Sequence, residues 1–369
     1  MVGTVRTVLR CRGPAALVTS AAVLWLVGCT TPTDEPAVPE PDETVPADEE
    51  PDPDPDPAPD PDPDPEPEPP PFEPEFEEYA VPAGSRPHDV APGPDGRVWY
   101  TGQHSEELGV LDPATGEVDT VHLGVGSAPH GVIVGPGGVP WVTDGGLNAI
   151  VAVDPDTFAV TIHPLPRRPN KNLNTATFDG DGLLWFTGQA GVHGWLDPAT
   201  ADIEVFDSPR GRGPYGIATD PDGTAWFSSL AGSYIARVVG RDGAVEVVDV
   251  PSPEGGARRV WSDSTGRLWV TEWFAGNLAA YDPDTEAWDT WRLPGDDPQP
   301  YAVYVDEEDV VWVTDFGGDA LVRFDPATET FDAFPWPTPG AQVRQLLGRP
   351  GEVWGAGSAT DTIVVLRTR

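Results

Sequence analysis

The sequence predicts an all-β chain, a seven-bladed β-propeller in which an N-terminal strand closes the last blade. Three observations carry this. Trp99, Trp141, Trp185, Trp226, Trp269, Trp312 and Trp354 recur at intervals of 42, 44, 41, 43, 43 and 42 residues. A period just above forty, with short β-rich runs and turn signals inside each copy, is the mark of a propeller whose every repeat is one four-stranded blade. The last copy, from Val343 to Arg369, has only three strand-like runs, while Phe76-Glu77-Glu78-Tyr79-Ala80-Val81 ahead of the first copy resembles an outer strand. The two ends together make one blade, which covers edges that a sheet protein must pair or blunt.

Residues 1–28 read as a lipoprotein signal peptide. Arg6, Arg10 and Arg12 precede an apolar run from Ala15 to Val27 that is too short to span a membrane as a mature helix. A small residue, Gly28, directly before Cys29 suits cleavage followed by lipidation of Cys29. An ordinary secretory signal with an incidental cysteine is the other reading. Cys11 and Cys29 are the only cysteines, so the predicted propeller has none and its stability must come from packing.

Residues 29–75 are rich in Pro, Asp and Glu, and from 30 to 78 there are 20 acids and no base. Such a segment cannot bury a core and reads as an extended tether. At about 3.1 Å per residue, a tether of roughly 45 residues reaches on the order of 140 Å. Calcium binding by the run Asp52-Pro53-Asp54-Pro55-Asp56 is an alternative to a solvated, self-repelling spacer. The expected location is extracytoplasmic, lipid-anchored to a bacterial cell membrane and touching it through the lipid anchor only.

Residues 76–369 form the propeller. In its second copy, Pro129 to Val134 makes an inner strand, Gly135-Pro136-Gly137-Gly138 a turn and Trp141 to Asp144 a second strand. Ala149 to Val153 follows as the third strand, and Ala159 to Ile162 as the outer one. Asp-Pro-x-Thr at Asp112, Asp154, Asp197, Asp282 and Asp325 reads as a turn, Asp capping through its side chain and Pro presetting φ, rather than as a calcium loop. The tryptophans open the second strands and read as packing between blades.

After residue 78 there remain 41 acids against 18 bases, a balance unsuited to nucleic acid, and the expected partner is a small-molecule or envelope ligand met by a monomer. Strands alternate direction, so the start of each inner strand and the end of each second strand share one face, the mouth. Because the tether joins an outer strand at the opposite face, the mouth is expected to point away from the anchor.

Eleven residues before each tryptophan stand His88, His130, Asn174, Tyr215, Arg258, Tyr301 and Val343, here called the leading ring. Three residues after each stand Gly102, Asp144, Gly188, Ser229, Glu272, Asp315 and Gly357, the trailing ring. Together they surround one opening, where a pocket for a small ligand is expected. Asn174, Tyr215, Arg258, Tyr301, Glu272 and Asp315 are candidate substrate-binding residues. His88 and His130, on neighbouring blades, suit an acid–base pair or metal ligands with Asp144 as a further ligand; hydrogen bonding to loop backbone at the rim is the other reading. Asp315 and Glu272 equally suit backbone N–H groups at strand ends, or pairing with Arg258.

Arg86, Arg167, Arg168, Lys171, Arg210, Arg212, Arg258, Arg259 and Arg344 all fall beside the starts of inner strands. Guanidinium groups at a mouth with acidic surroundings would focus an anionic ligand toward the channel. Pairing with Glu254, Asp296 and Asp297 is the alternative.

The runs Pro87-His88-Asp89-Val90, Pro129-His130-Gly131-Val132, Leu184-Trp185-Phe186-Thr187-Gly188 and Leu268-Trp269-Val270-Thr271-Glu272-Trp273 resemble those of streptogramin B lyases, also called virginiamycin B lyases. The resemblance spans the whole propeller. It implies a seven-bladed enzyme that linearises a cyclic depsipeptide by elimination across its ester, with Mg²⁺ and a histidine base. It further implies His130 as the proton-abstracting base and His88 as a residue that holds the ester, with the metal stabilising the developing charge. The chain departs from the family at two places. Ala128 stands where the family has a glutamate before the second Pro-His, and Asp144-Gly145 stands where another glutamate follows the aromatic strand. Its Thr271-Glu272-Trp273 lies on the fifth blade. With export added, the resemblance reads as that of a distant, surface-facing relative with another ligand.

Two functions stand open on the sequence. One is a carbon–oxygen lyase acting on an ester, lactone or uronate-type substrate with His130 and His88; the other is a non-catalytic propeller presenting the same mouth to an envelope glycan, peptide or protein. A gluconolactonase-type hydrolase built on Asn174, Glu272 and Asp315 is a third, without a matching motif.

Overall fold

Seven four-stranded antiparallel sheets make up the computed structural model, which describes residues 72–166 and 169–368. The signal peptide, Cys29 and most of the tether lie outside the described residues, as do Arg167 and Arg168. Blades 1 to 6 run Pro87–His122, Pro129–Pro164, Leu173–Asp207, Pro214–Asp249, Ala257–Arg292 and Pro300–Pro335. Blade 7 combines Val343–Arg349, Glu352–Gly357 and Thr362–Arg367 with the N-terminal strand Glu75–Ala80.

The closing strand pairs along its whole length, from Glu75 opposite Arg367 to Ala80 opposite Thr362. Glu77 binds Arg367 at 2.8 Å, and Arg367 also reaches Glu352 at 2.5 Å. Side chains tie this strand to both neighbours. Phe72 packs on Phe334 of blade 6 at 5.7 Å, and the Tyr79 hydroxyl donates to the Pro113 carbonyl of blade 1 at 3.3 Å. Glu75 is level with Arg367 and Glu352, at the face opposite Val343 and Gly357, so the chain enters the propeller on the side away from the mouth.

The core is divided into seven layers, each between two adjacent blades. Trp99 lies with Val132, Val142 and Val151 between blades 1 and 2, and Trp312 with Leu346, Val353 and Val364 between blades 6 and 7. Every repeat tryptophan takes this position, which agrees with a packing role. In blades 3 to 6 the indole N–H also donates to an aspartate six residues earlier, as Trp185 does to Asp179 at 2.7 Å and Trp269 to Asp263 at 2.9 Å. The Asp-Pro turns form as expected; Asp112 accepts from the Ala114 N–H at 2.9 Å and Asp154 from Thr157 at 2.8 Å.

Candidate functional site

All seven inner strands break register just after their first residue, with an extra residue inserted against the second strand. A bulge of this kind re-aims side chains, and here consecutive residues of one strand reach the channel. A hydroxyl two residues after each of six tryptophans fixes the bulge. Thr101 accepts from the Asp89 N–H at 3.0 Å and donates to the His130 carbonyl at 2.8 Å; Thr271 accepts from Arg259 at 3.1 Å and donates to Tyr301 at 2.9 Å. Thr143, Thr187 and Ser228 repeat both bonds, each clasping the leading residue of the next blade.

The structure brings His88, His130, Asn174, Tyr215, Arg258 and Tyr301 into one ring. It corrects the seventh member. In blade 7 the turn between inner and second strand is one residue shorter, so Trp354 pairs with Leu347, seven residues back, where Trp99 pairs with Ala91, eight back. Arg344, not Val343, therefore stands level with His88, and Gln345 stands level with Asp89.

Going round the ring, the imidazoles of His88 and His130 lie 4.0 Å apart between centroids, and His130 Nε2 lies 3.4 Å from the Asn174 amide nitrogen. The hydroxyls of Tyr215 and Tyr301 meet at 2.5 Å. An Arg258 Nη2–H donates to the Tyr215 hydroxyl at 3.1 Å, and its guanidinium sits 3.5 Å from the Tyr301 ring centre, 4.4 Å from Trp273 and 4.8 Å from Tyr215. Arg344 approaches Tyr301 at 5.8 Å and Phe316 at 5.6 Å. One half of the ring, blades 1 to 3, is imidazole and amide; the other half is guanidinium and phenol.

Beneath the ring lies a floor made by the bulge residues. The His88 Nδ1–H donates to Asp89 Oδ1 at 2.7 Å, and the same oxygen faces Arg259 Nη2 at 3.4 Å, an ion pair that crosses the channel from blade 5 to blade 1. Gln345 Oε1 accepts from the Val90 N–H at 2.9 Å. Below this floor the channel continues as a cavity of about 40 Å³ bounded by Val132, Ile217, Val260 and Leu346 among others.

His88 and His130 are 3% and 7% exposed. Burial first, and then Arg259, Arg344 and Arg258, hold His88 well below its ordinary 6.5. Burial and the neighbouring His88 do the same to His130. Both imidazoles are neutral at pH 7. Burial raises Asp89, against the pull of Arg259. For Tyr301 burial is outweighed by Arg258 and Arg259, which bring the phenol below its ordinary value, while Tyr215 is raised by burial and by Tyr301. Four buried polar atoms of the ring and floor have no hydrogen-bond partner among the described residues: His130 Nδ1, Asn174 Oδ1, Arg258 Nε and Arg259 Nε.

The trailing carboxylates do other work. Asp144 accepts from Ala128 N–H at 3.0 Å, Leu147 N–H at 2.8 Å and the Ser127 hydroxyl at 2.5 Å. Glu272 takes Ser252 N–H at 3.0 Å and Asn277 at 3.0 Å, and Asp315 takes Gln299, Gly317 and Gly318. Strand ends expose backbone donors that carboxylates satisfy, so Asp144, Glu272 and Asp315 hold the loops instead of facing a ligand. None of them pairs with Arg258. Of the nine mouth bases, Arg258, Arg259 and Arg344 reach the site, while Arg210 pairs with Asp249.

Among the described residues, His88, Asp89 and His130 offer one ligand atom each within 4.8 Å of one another. Asp144 is not among them. Mg²⁺ favours an octahedron of oxygens. This set has one carboxylate, already shared by His88 and Arg259, and three guanidinium groups act on His88. The donor set does not fit a resident Mg²⁺.

The fold is that of a seven-bladed propeller, and the ring lies where its seven inner strands begin. The chain matches the Virginiamycin B lyase family over residues 72–315 and again over 126–368, and it belongs to that family. It is 36% identical over 109 residues to the virginiamycin B lyase of Nocardia farcinica, a stretch that is 29% of this chain and 37% of that relative. Virginiamycin B lyase from Staphylococcus aureus shares the fold at a TM-score of 0.74 and 18% identity, over 80% of this chain and 99% of that one. A streptogramin B lyase structure does so at 0.73 and 23%, over 79% and 97%. The Staphylococcus aureus protein has also been solved as a catalytically inactive histidine-to-alanine variant with quinupristin, at 0.74 and 18%, over 80% and 99%.

Proposed function

We propose that this propeller is a carbon–oxygen lyase for an ester- or lactone-type substrate bound at the ring, with the neutral imidazole of His130 as base. The supporting observation is the histidine pair itself, two buried imidazoles 4.0 Å apart, kept unprotonated by burial and cationic neighbours, one with a free Nδ1. His130 takes the proton from the carbon next to the C–O bond. The C–H electron pair becomes the new C=C bond, and the C–O pair departs with the oxygen as a carboxylate. His88, fixed by Asp89, is a positioning residue. Arg258 and Tyr301 supply cationic and O–H stabilisation where negative charge develops.

The test is turnover of a panel of lactones and depsipeptides, quinupristin included, by the full chain. Replacing His130 by Gln or Ala is expected to lower turnover at least ~100-fold, the usual scale for a lost general base, with the melting transition retained. Full activity in either variant would remove His130 from the role. The arginine half of the ring favours a second reading, a non-catalytic envelope propeller, in which Arg258→Ala or Tyr215→Ala weakens a ligand and no turnover occurs.

We also propose that the protein is exported and lipid-anchored through Cys29. This rests on the sequence ahead of residue 72 and agrees with a first strand that begins on the face opposite the mouth. Labelling with a palmitate analogue, absent in Cys29→Ala, is the check.

A further inference from the structure

We propose that the mouth is a carboxylate site: its ligand is an organic anion whose carboxylate meets Arg258 and Arg344 and whose apolar body rests on the Trp273–Phe316 wall. The inference names the substrate class of the lyase reading and rests on that reading only in taking the ring as the working end.

Charge carries the argument. Ring and floor hold Arg258, Arg259 and Arg344 against a single carboxylate, Asp89, and that carboxylate is committed to Arg259 and His88. Among the described residues nine arginines form ion pairs with acids, and Arg258 and Arg344, although half-buried at the ring, are not among them. Arg344 is held by Ser358 at 3.0 Å and Gln342 at 3.0 Å, both neutral, and Arg258 by the Tyr215 hydroxyl and three ring faces. Among the described residues neither forms an ion pair. A half-buried guanidinium held in place by rings and neutral side chains is preorganised for a planar carboxylate, which its fork matches in shape.

Three further observations point to a ligand at the same place. Arg258 Nε, His130 Nδ1 and Asn174 Oδ1 are buried without partners, although buried polar atoms are normally satisfied. His130 and Asn174 are themselves more than nine-tenths buried. Trp273 and Phe316 pack at 5.7 Å and are half-buried, and Phe274 beside them is 66% exposed, so apolar surface adjoins the guanidinium groups. The acidic outer surface repels anions in general, which leaves the ring as the local attractor. The same charges repel a divalent cation.

The experiment titrates the full chain with phenylacetate and with its neutral isostere phenylacetamide, following tryptophan fluorescence and heat. Phenylacetate is expected to bind at least ~10-fold more tightly, the scale of one charge-assisted hydrogen bond. Arg258→Gln with Arg344→Gln should erase that preference while leaving the melting transition and weak phenylacetamide binding in place. Millimolar Mg²⁺ should leave the phenylacetate titration unchanged. Equal affinity for the two probes, no binding of either, or a preference that survives in the double variant overturns the proposal. His130→Gln separates the two ideas, since it should abolish turnover yet keep the carboxylate preference within about threefold; failure of turnover by the wild-type chain with the preference intact would sink the lyase reading alone.

Discussion

At the residue scale, the histidine pair shows how burial sets chemistry. An imidazole in water titrates near 6.5; these two are held well below it first because the charged form would lose its hydration, and then by three guanidinium groups beside His88 and by His88 beside His130. Above pH 6.5 both folded and unfolded chains carry them neutral. Below it the unfolded chain takes up protons that the folded ring refuses, so stability falls as pH drops from 6.5 toward the folded values, by up to about 1.4 kcal/mol per pH unit for each histidine. Asp89, raised by burial, titrates in the opposite sense. Urea midpoints measured between pH 7.5 and 5 should therefore decline, and His130→Gln should flatten the decline. A midpoint independent of pH in this range would mean that the imidazoles are not buried.

The candidate residues were legible in the sequence to the extent that blades repeat. Counting eleven back from each tryptophan finds six ring members, and misses Arg344 because one turn is a residue shorter. Asp89 and Arg259 escape the count since nothing in strand periodicity announces a bulge; the signal present was the pair of polar residues at the start of an inner strand, His88-Asp89 and Arg258-Arg259. Asp144, Glu272 and Asp315 misled for a different reason. Strand ends near a channel look like a site, yet loops that turn there need acceptors for their own N–H groups.

At the scale of the strand, the hydroxyl two residues after the tryptophan in blades 1 to 5 is the element that turns separate blades into a ring. It holds the bulge of its own blade and the leading carbonyl of the next, two bonds for one small side chain. Thr143→Val keeps the shape but loses both, leaving the Gly131 N–H and the Asn174 carbonyl short of a partner. Each unmet buried group costs about 1–3 kcal/mol. The variant is expected to unfold at lower urea concentration and, because the carbonyl belongs to Asn174, to bind ring ligands more weakly. Thr161→Val, on the exposed outer strand of the same blade, should do neither; equal effects at the two positions would mean that the clasp contributes nothing.

At the scale of the molecule, closure depends on the first described strand. Deleting residues 72–80 uncovers the edge Thr362–Arg367 and removes Phe76 and Tyr79 from two interblade layers. The truncated chain should aggregate or melt well below the full one, in a light-scattering or melting experiment, because an open sheet edge pairs with other chains. A deletion ending at residue 71 should melt with the full chain. Contacts that skip a blade span the ring, Asp89 to Arg259 and Tyr215 to Tyr301 among them. They lock the channel diameter and hence the spacing between the histidine and arginine halves.

Closure also imposes an order in time. The strand Glu75–Ala80 leaves the ribosome before any blade, yet its partner Thr362–Arg367 follows every other described strand. The blade they share stays incomplete until that partner has been made, and the ring cannot shut before then. A propeller built this way carries an open seventh blade until its last strand arrives.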